Sequence, residues 1–130
     1  VGFIAFSPMA NGLLTGAYGK DSKFDSKLDY RSTMPQFTPE AAEENRELLN
    51  LLNNMATEKH ATPAQLSLAW MLCKKPYIVP IPGSRKVERM RENAGAAEVI
   101  LSPTEVKALD KILDDIPMSA VFGGTKIISK

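Results

Sequence analysis

Apolar positions along the chain follow two patterns. Two short unbroken runs, "GFIAF" at 2–6 and "YIVPIP" at 77–82, are closed by Ser-Pro and by Gly. They lack the alternation of a half-solvated strand and read as strands buried on both faces, as in a parallel sheet. Pro80 and Pro82 withdraw backbone donors from the second run, so that strand should be brief. Elsewhere the period is helical. Ala42, Asn45, Leu48, Leu49, Leu52, Met55 and Ala56 mark the inner face of one helix over 39–59. Leu66, Ala69, Trp70 and Cys73 form a stripe on a second over 63–74, which Pro76 stops. A third is expected over 86–93 with Gly95 as its C-terminal cap. A fourth over 103–115 buries Val106, Leu109, Ile112, Leu113 and Ile116 and ends before Pro117. Thr38-Pro39, Thr62-Pro63 and Ser102-Pro103 each place a hydroxyl at the N-cap and proline in the first turn. Gln65 and Glu105 complete two capping boxes.

The order strand, long loop, helices, strand, helix, helix is an α/β pattern with parallel strands. Two strands alone make a poor parallel sheet, because such sheets are covered on both faces and need neighbours. The segment 17–37 has no period and is rich in Asp, Ser, Lys and Gly; connections of that length are usually functional or mobile. The tail 117–130 carries Gly123-Gly124 and reads as a loop. The chain opens at Val1 inside a strand-like run, so it is expected to be one piece of a longer protein.

Composition adds exclusions. The chain has 130 residues, 44% apolar and 24% charged, with a formal net charge of +1. That is the composition of a single globular domain. Near-neutrality argues against general nucleic-acid binding, and no apolar run approaches a membrane span. The single cysteine, Cys73, excludes an intrachain disulfide and is compatible with a reducing, cytoplasmic compartment.

Basicity is local instead. "IPGSRKVERMREN" at 81–93 follows a strand with Gly83, which permits close backbone approach, then Ser84 and four cations between Arg85 and Arg91. A helix start presents backbone N–H groups and the positive end of the dipole. Arg85 and Arg89, with Lys86, are expected on one side of it, where a phosphate monoester would offset their repulsion. The bland alternative is a solvated basic helix start paired locally with Glu88 and Glu92. The other strand end, "FSPMANG", could stack Phe6 on a flat ring and donate from Ser7 and Asn11; alternatively it is an ordinary turn with a core Phe. His60, the one histidine, reads as a helix C-terminal cap, and Cys73 as a buried small hydrophobe. No cluster has metal-ligand spacing. "DYR" at 29–31 fits a ligand contact or a surface salt bridge equally well.

"FSPMANGLLTG" and "IPGSRKVERMREN" resemble the segments at the seventh and eighth strands of aldo-keto reductases. "DYRSTMPQF", "TPAQLSLAW" and "PMSAVFGG" resemble the bacterial-type branch of that family. The resemblance implies the C-terminal portion of a (β/α)8 TIM barrel spanning residues 1–130. It implies NADP(H) at the carboxyl ends of the strands, a cofactor-covering loop at 16–38 and a tail at 117–130 bordering a small-molecule carbonyl substrate. By resemblance, Phe6 stacks on nicotinamide, where Tyr is frequent in the family. Ser7, Pro8, Met9, Asn11 and Gly12 line the nicotinamide and pyrophosphate. Gly83, Ser84, Arg85, Lys86 and Arg89 hold the 2′-phosphate, and Glu92 and Asn93 meet the adenine. The family's catalytic Tyr, Lys, Asp and His lie on earlier strands that match nothing here. No catalytic residue is therefore assigned, and the chain alone is expected to be inactive and to need the N-terminal remainder of the barrel. The resemblance also admits a cofactor-loaded, partner-docking module or an inactive truncated product.

Overall fold

The computed structural model describes residues 1–119. Strand β1 (Phe3–Ala5) pairs in parallel with β2 (Ile78–Pro80), Phe3 facing Ile78, Ile4 facing Val79 and Ala5 facing Pro80. Between them lie α1 (Pro39–Glu44), α2 (Arg46–Glu58) and α3 (Pro63–Lys74). After β2 come α4 (Val87–Gly95), a 3-10 turn at Ala96–Glu98 and α5 (Pro103–Asp115). This is the expected α/β order.

The core sits among the helices rather than on the sheet. Leu48, Leu52 and Ala56 of α2 meet Leu66 and Ala69 of α3 and Val106 and Leu109 of α5, with Leu101 and Ile116 closing the cluster. Helix α3 is central, burying Ala64, Leu66, Ser67, Leu68 and Ala69 in succession. The three hydroxyl caps form as the sequence predicts. Thr38 accepts from the Ala41 amide, and Thr62 and Ser102 form complete capping boxes with Gln65 and Glu105. A polar pin joins α3 to α5: Trp70 Nε1 and Lys74 Nζ both donate to Asp110 Oδ1 at 2.9 Å, and the Lys74 ammonium lies over the Trp70 ring.

The structure corrects several expectations. The strands are not buried: Phe3, Ile4 and Val79 are exposed, because the two-stranded sheet has no further strand beside it among the described residues. The helix expected over 39–59 is two helices broken at Asn45. The Asn45 side chain is buried and exchanges hydrogen bonds with Ser119, donating to its Oγ at 2.8 Å and accepting from its amide at 3.0 Å. Upstream of that break Ala41, not Ala42, is the buried position. Ile112 is exposed, and Cys73 is only half-buried against the core. Gly95 is the last residue of α4, with a helical φ, and the C-cap is Ala96. A Cβ on Gly95 would stand 2.7 Å from Gln65 Nε2, the end of the side chain that donates to the Glu92 carbonyl. The tail beyond Ser119, with Gly123-Gly124, lies outside the described residues.

Candidate anion and cofactor site

Parallel pairing brings the carboxyl ends of β1 and β2 to the same edge, so 7–16 and 81–86 emerge as neighbours. The first of these turns is tightly wound. Ser7, Ala10, Asn11 and Gly12 all take positive φ, with Gly12 at 100°. Asn11 holds the turn to the long loop. Its Oδ1 accepts from Ser7 Oγ at 3.0 Å and Tyr30 Oη at 3.3 Å, and its Nδ2 donates to Met34 Sδ at 3.3 Å. Gln36, which is buried, donates to the same sulfur. Asn11 is thus a keystone of the loop, with both ends of its amide engaged. Pro8 and Met9 are half-buried. Phe6 is 79% exposed, which overturns the core-Phe alternative and leaves its ring presented at the sheet edge.

Helix α4 starts differently from α1, α3 and α5. Its N-cap is Lys86, and no side chain caps its first turn. The Ser84 hydroxyl is taken up by the Lys86 backbone amide and carbonyl, both at 3.2 Å. Gly83 faces open space. Because the helix begins at Val87, Arg85 precedes it, and the expected Arg85–Arg89 helical pair is not one. Arg85, Lys86, Arg89 and Arg91 are exposed, and none makes an ion pair within 4 Å among the described residues. Glu88 and Glu92 therefore do not serve as the local partners that a merely solvated helix start was expected to have. Glu92 and Asn93 lie three and four residues beyond Arg89, on its face of α4, and are half-buried. The Glu92 carbonyl accepts from Gln65 Nε2 at 3.0 Å.

The long loop is organised rather than plain coil, with 3-10 turns at Tyr30–Thr33 and Pro35–Phe37. Tyr18, Phe24 and Phe37 form a three-ring cluster with centroids 5.0–5.8 Å apart. The Arg31 guanidinium lies 4.7 Å from the Tyr18 centroid and 4.6 Å from that of Phe24. Asp29 grips its edge, accepting from Nη2 at 2.5 Å and Nε at 2.9 Å. "DYR" is therefore a salt bridge that builds the loop. Hydrogen bonding to Arg31 lowers the Tyr18 phenol against the opposing effect of burial, with a smaller contribution from Arg89. Asp29 is lowered mainly by Arg31, with a smaller contribution from Arg85. The sequence reading missed this cluster. Its signal was three aromatic rings and an arginine inside a segment without period.

His60 is exposed with φ 53° and acts through its backbone; its amide donates to Thr57 and that of Ala61 to Ala56, closing the end of α2. No group of three metal-ligating side chains occurs among the described residues, and no helix there is long and apolar enough to cross a membrane.

These features define an α/β protein with a cationic site, without ion pairs among the described residues, at the carboxyl ends of parallel strands. The sequence model of the aldo/keto reductase family matches residues 1–114, and the chain belongs to that family. It is 35% identical over 115 residues to aldo-keto reductase str7 of Strobilurus tenacellus, covering 88% of this chain and 34% of that protein. It is 38% identical over 112 residues to aldo-keto reductase yakc [NADP(+)] of Schizosaccharomyces pombe, covering 86% of this chain and 33% of that one. The thermostable aldo-keto reductase Tm1743, solved with the inhibitor epalrestat, matches in structure with a TM-score of 0.54 and 29% identity. That match covers 86% of this chain and 30% of Tm1743. The chain thus spans about a third of the length of these relatives.

Proposed function

We propose that this chain supplies much of the cofactor site of an NADPH-dependent reductase that converts a small-molecule carbonyl to an alcohol. In this reading it is the C-terminal portion of a (β/α)8 barrel, contributing the last two strands and their helices. The observation that carries the reading is the start of α4: an uncapped helix with Arg85, Lys86 and Arg89 exposed and without carboxylate partners among the described residues. That donor set fits a phosphate dianion. Guanidinium forks match it bidentately, the helix start adds backbone N–H groups, and Gly83 leaves room for approach. The name of the yeast relative, which carries NADP(+), agrees.

Each residue then has a job. Ser84, Arg85, Lys86 and Arg89 hold the 2′-phosphate, and Glu92 and Asn93 border the adenine. Phe6 offers its exposed ring to the nicotinamide, while Ser7, Pro8, Met9 and Gly12 shape the turn beside it and Asn11 holds that turn to the 16–38 loop. The bound nicotinamide supplies hydride; this chain's residues bind and orient it. Tyr18, Tyr30 and Tyr77 are assigned no catalytic part. Absence of nucleic-acid and membrane partners and a cytoplasmic location belong to the same proposal.

The test is Arg89→Ala in the intact protein. Losing a charge-assisted contact of about 1.5–3 kcal/mol should weaken NADPH about 10- to 100-fold and leave NADH nearly unchanged. Equal loss for both cofactors in a fluorescence titration would refute the phosphate assignment.

A further inference from the structure

Met34 sits where the long loop is fastened to the turn after β1. Its thioether sulfur accepts from Asn11 Nδ2 at 3.3 Å and from Gln36 Nε2 at 3.5 Å. Two amide donors thus converge on one weak acceptor. They are not equivalent. Gln36 is buried, its Oε1 has no partner among the described residues, and the sulfur is the acceptor for its Nε2. Asn11 is half-buried and belongs to a turn in which Ser7, Ala10 and Asn11 itself take positive φ without being glycine. Such conformations persist only while surrounding contacts impose them. Among those contacts are the Asn11 side-chain hydrogen bonds with Ser7, Tyr30 and Met34. Met34 is itself half-buried, so its side chain is partly open to solvent.

We propose that Met34 is an oxidation site that governs this fastening: hydrogen peroxide converts it to the sulfoxide, and the sulfoxide releases Asn11, and with it the loop, from the β1 turn. A sulfur lone pair attacks one peroxide oxygen, the O–O bond breaks and a sulfur–oxygen bond forms. The proton on the transferred oxygen passes to the departing hydroxide, which leaves as water. Sulfur loses two electrons and the peroxide gains them. The new oxygen is a strong acceptor where the sulfur was a weak one, and it projects beyond the sulfur into space the two amides now share. Both N–H groups cannot keep their present places around it. Gln36, buried and without another acceptor, takes the oxygen, because leaving its donor unpaired would be costly. Asn11 gives way, and its links to Ser7 and Tyr30 go with it. The release needs no bound cofactor.

The experiment is hydrogen peroxide treatment of the intact protein, read by peptide mass spectrometry and amide hydrogen exchange. The tryptic segment 32–46 holds Met34 as its one methionine, so an added oxygen there is assigned directly. Oxidation should speed exchange in 9–16 and 29–38 about tenfold, as loss of one or two net hydrogen bonds does, and leave α3 unchanged. Methionine sulfoxide reductase should reverse the change. Met34→Leu roughly conserves volume and removes the reactive sulfur. Exposed Met90 and Met118 remain oxidisable in that variant, yet its exchange in the two segments should not respond to peroxide. The proposal is overturned if Met34 stays reduced while Met90 and Met118 are oxidised, or if its oxidation leaves exchange in both segments unchanged. An equal peroxide response in Met34→Leu, or equally faster exchange in α3, would overturn it as well.

Discussion

Gly12 shows how one residue can serve both backbone and packing. Its φ of 100° lies where side chains are strained, and the space a Cβ would need is taken by the Tyr18 ring. Gly12→Ala is expected to lose about 1–3 kcal/mol, combining backbone strain with displacement of Tyr18. Denaturant unfolding should show a lower midpoint with an unchanged slope. At this scale the sequence was informative about which residues carry charge and uninformative about what each charge touches. Glu88 and Glu92 sit within four residues of the arginines, yet neither pairs with them, whereas Arg85, far away in sequence, adds a minor share to the lowering of the Asp29 carboxyl.

At the scale of elements, the helix starts set a pH dependence. Glu105 closes the α5 capping box and meets Lys59 of the α2 end at 2.5 Å. The Lys59 interaction first, then the hydrogen bonds from Ser102, bring the Glu105 carboxyl down to about 2 from an ordinary 4.5. A carboxylate depressed in the folded state stabilises it above the ordinary value, and that contribution disappears as pH falls through the folded value. The stability difference between the wild type and Glu105→Gln should therefore be full above pH 4.5 and shrink toward about pH 2. Thermal unfolding across that range measures it, and a difference that stays constant with pH would contradict the assignment. α3 and α5 matched their expected bounds because caps and prolines act within four residues. The break at Asn45 was not legible, since the group that engages its amide is Ser119, 74 positions later.

For the whole molecule, the notable surface is the sheet. Phe3, Ile4, Val79 and Ile81 are exposed around two parallel strands, while the helices bury a contiguous core. Open strand edges with apolar side chains template association. The 130-residue chain by itself is expected to self-associate with rising concentration, and Ile4→Lys should reduce this. Sedimentation measures it, and a monomer that persists at high concentration would refute it. Supplying the neighbouring strands in one polypeptide, as the barrel reading requires, should abolish the association.

The sequence by itself determined the element order, the three capped helix starts and the position of the cationic segment. All of these follow from interactions between residues a few positions apart, whose outcome barely depends on the rest of the chain. Only the tertiary structure decided that the strands lie exposed, that the 39–59 helix breaks and that the α4 cations lack carboxylate partners among the described residues. It alone gathered Tyr18, Phe24 and Asp29 around Arg31. Those features depend on contacts that close long loops, where many partners are locally compatible and packing of the whole chain selects one.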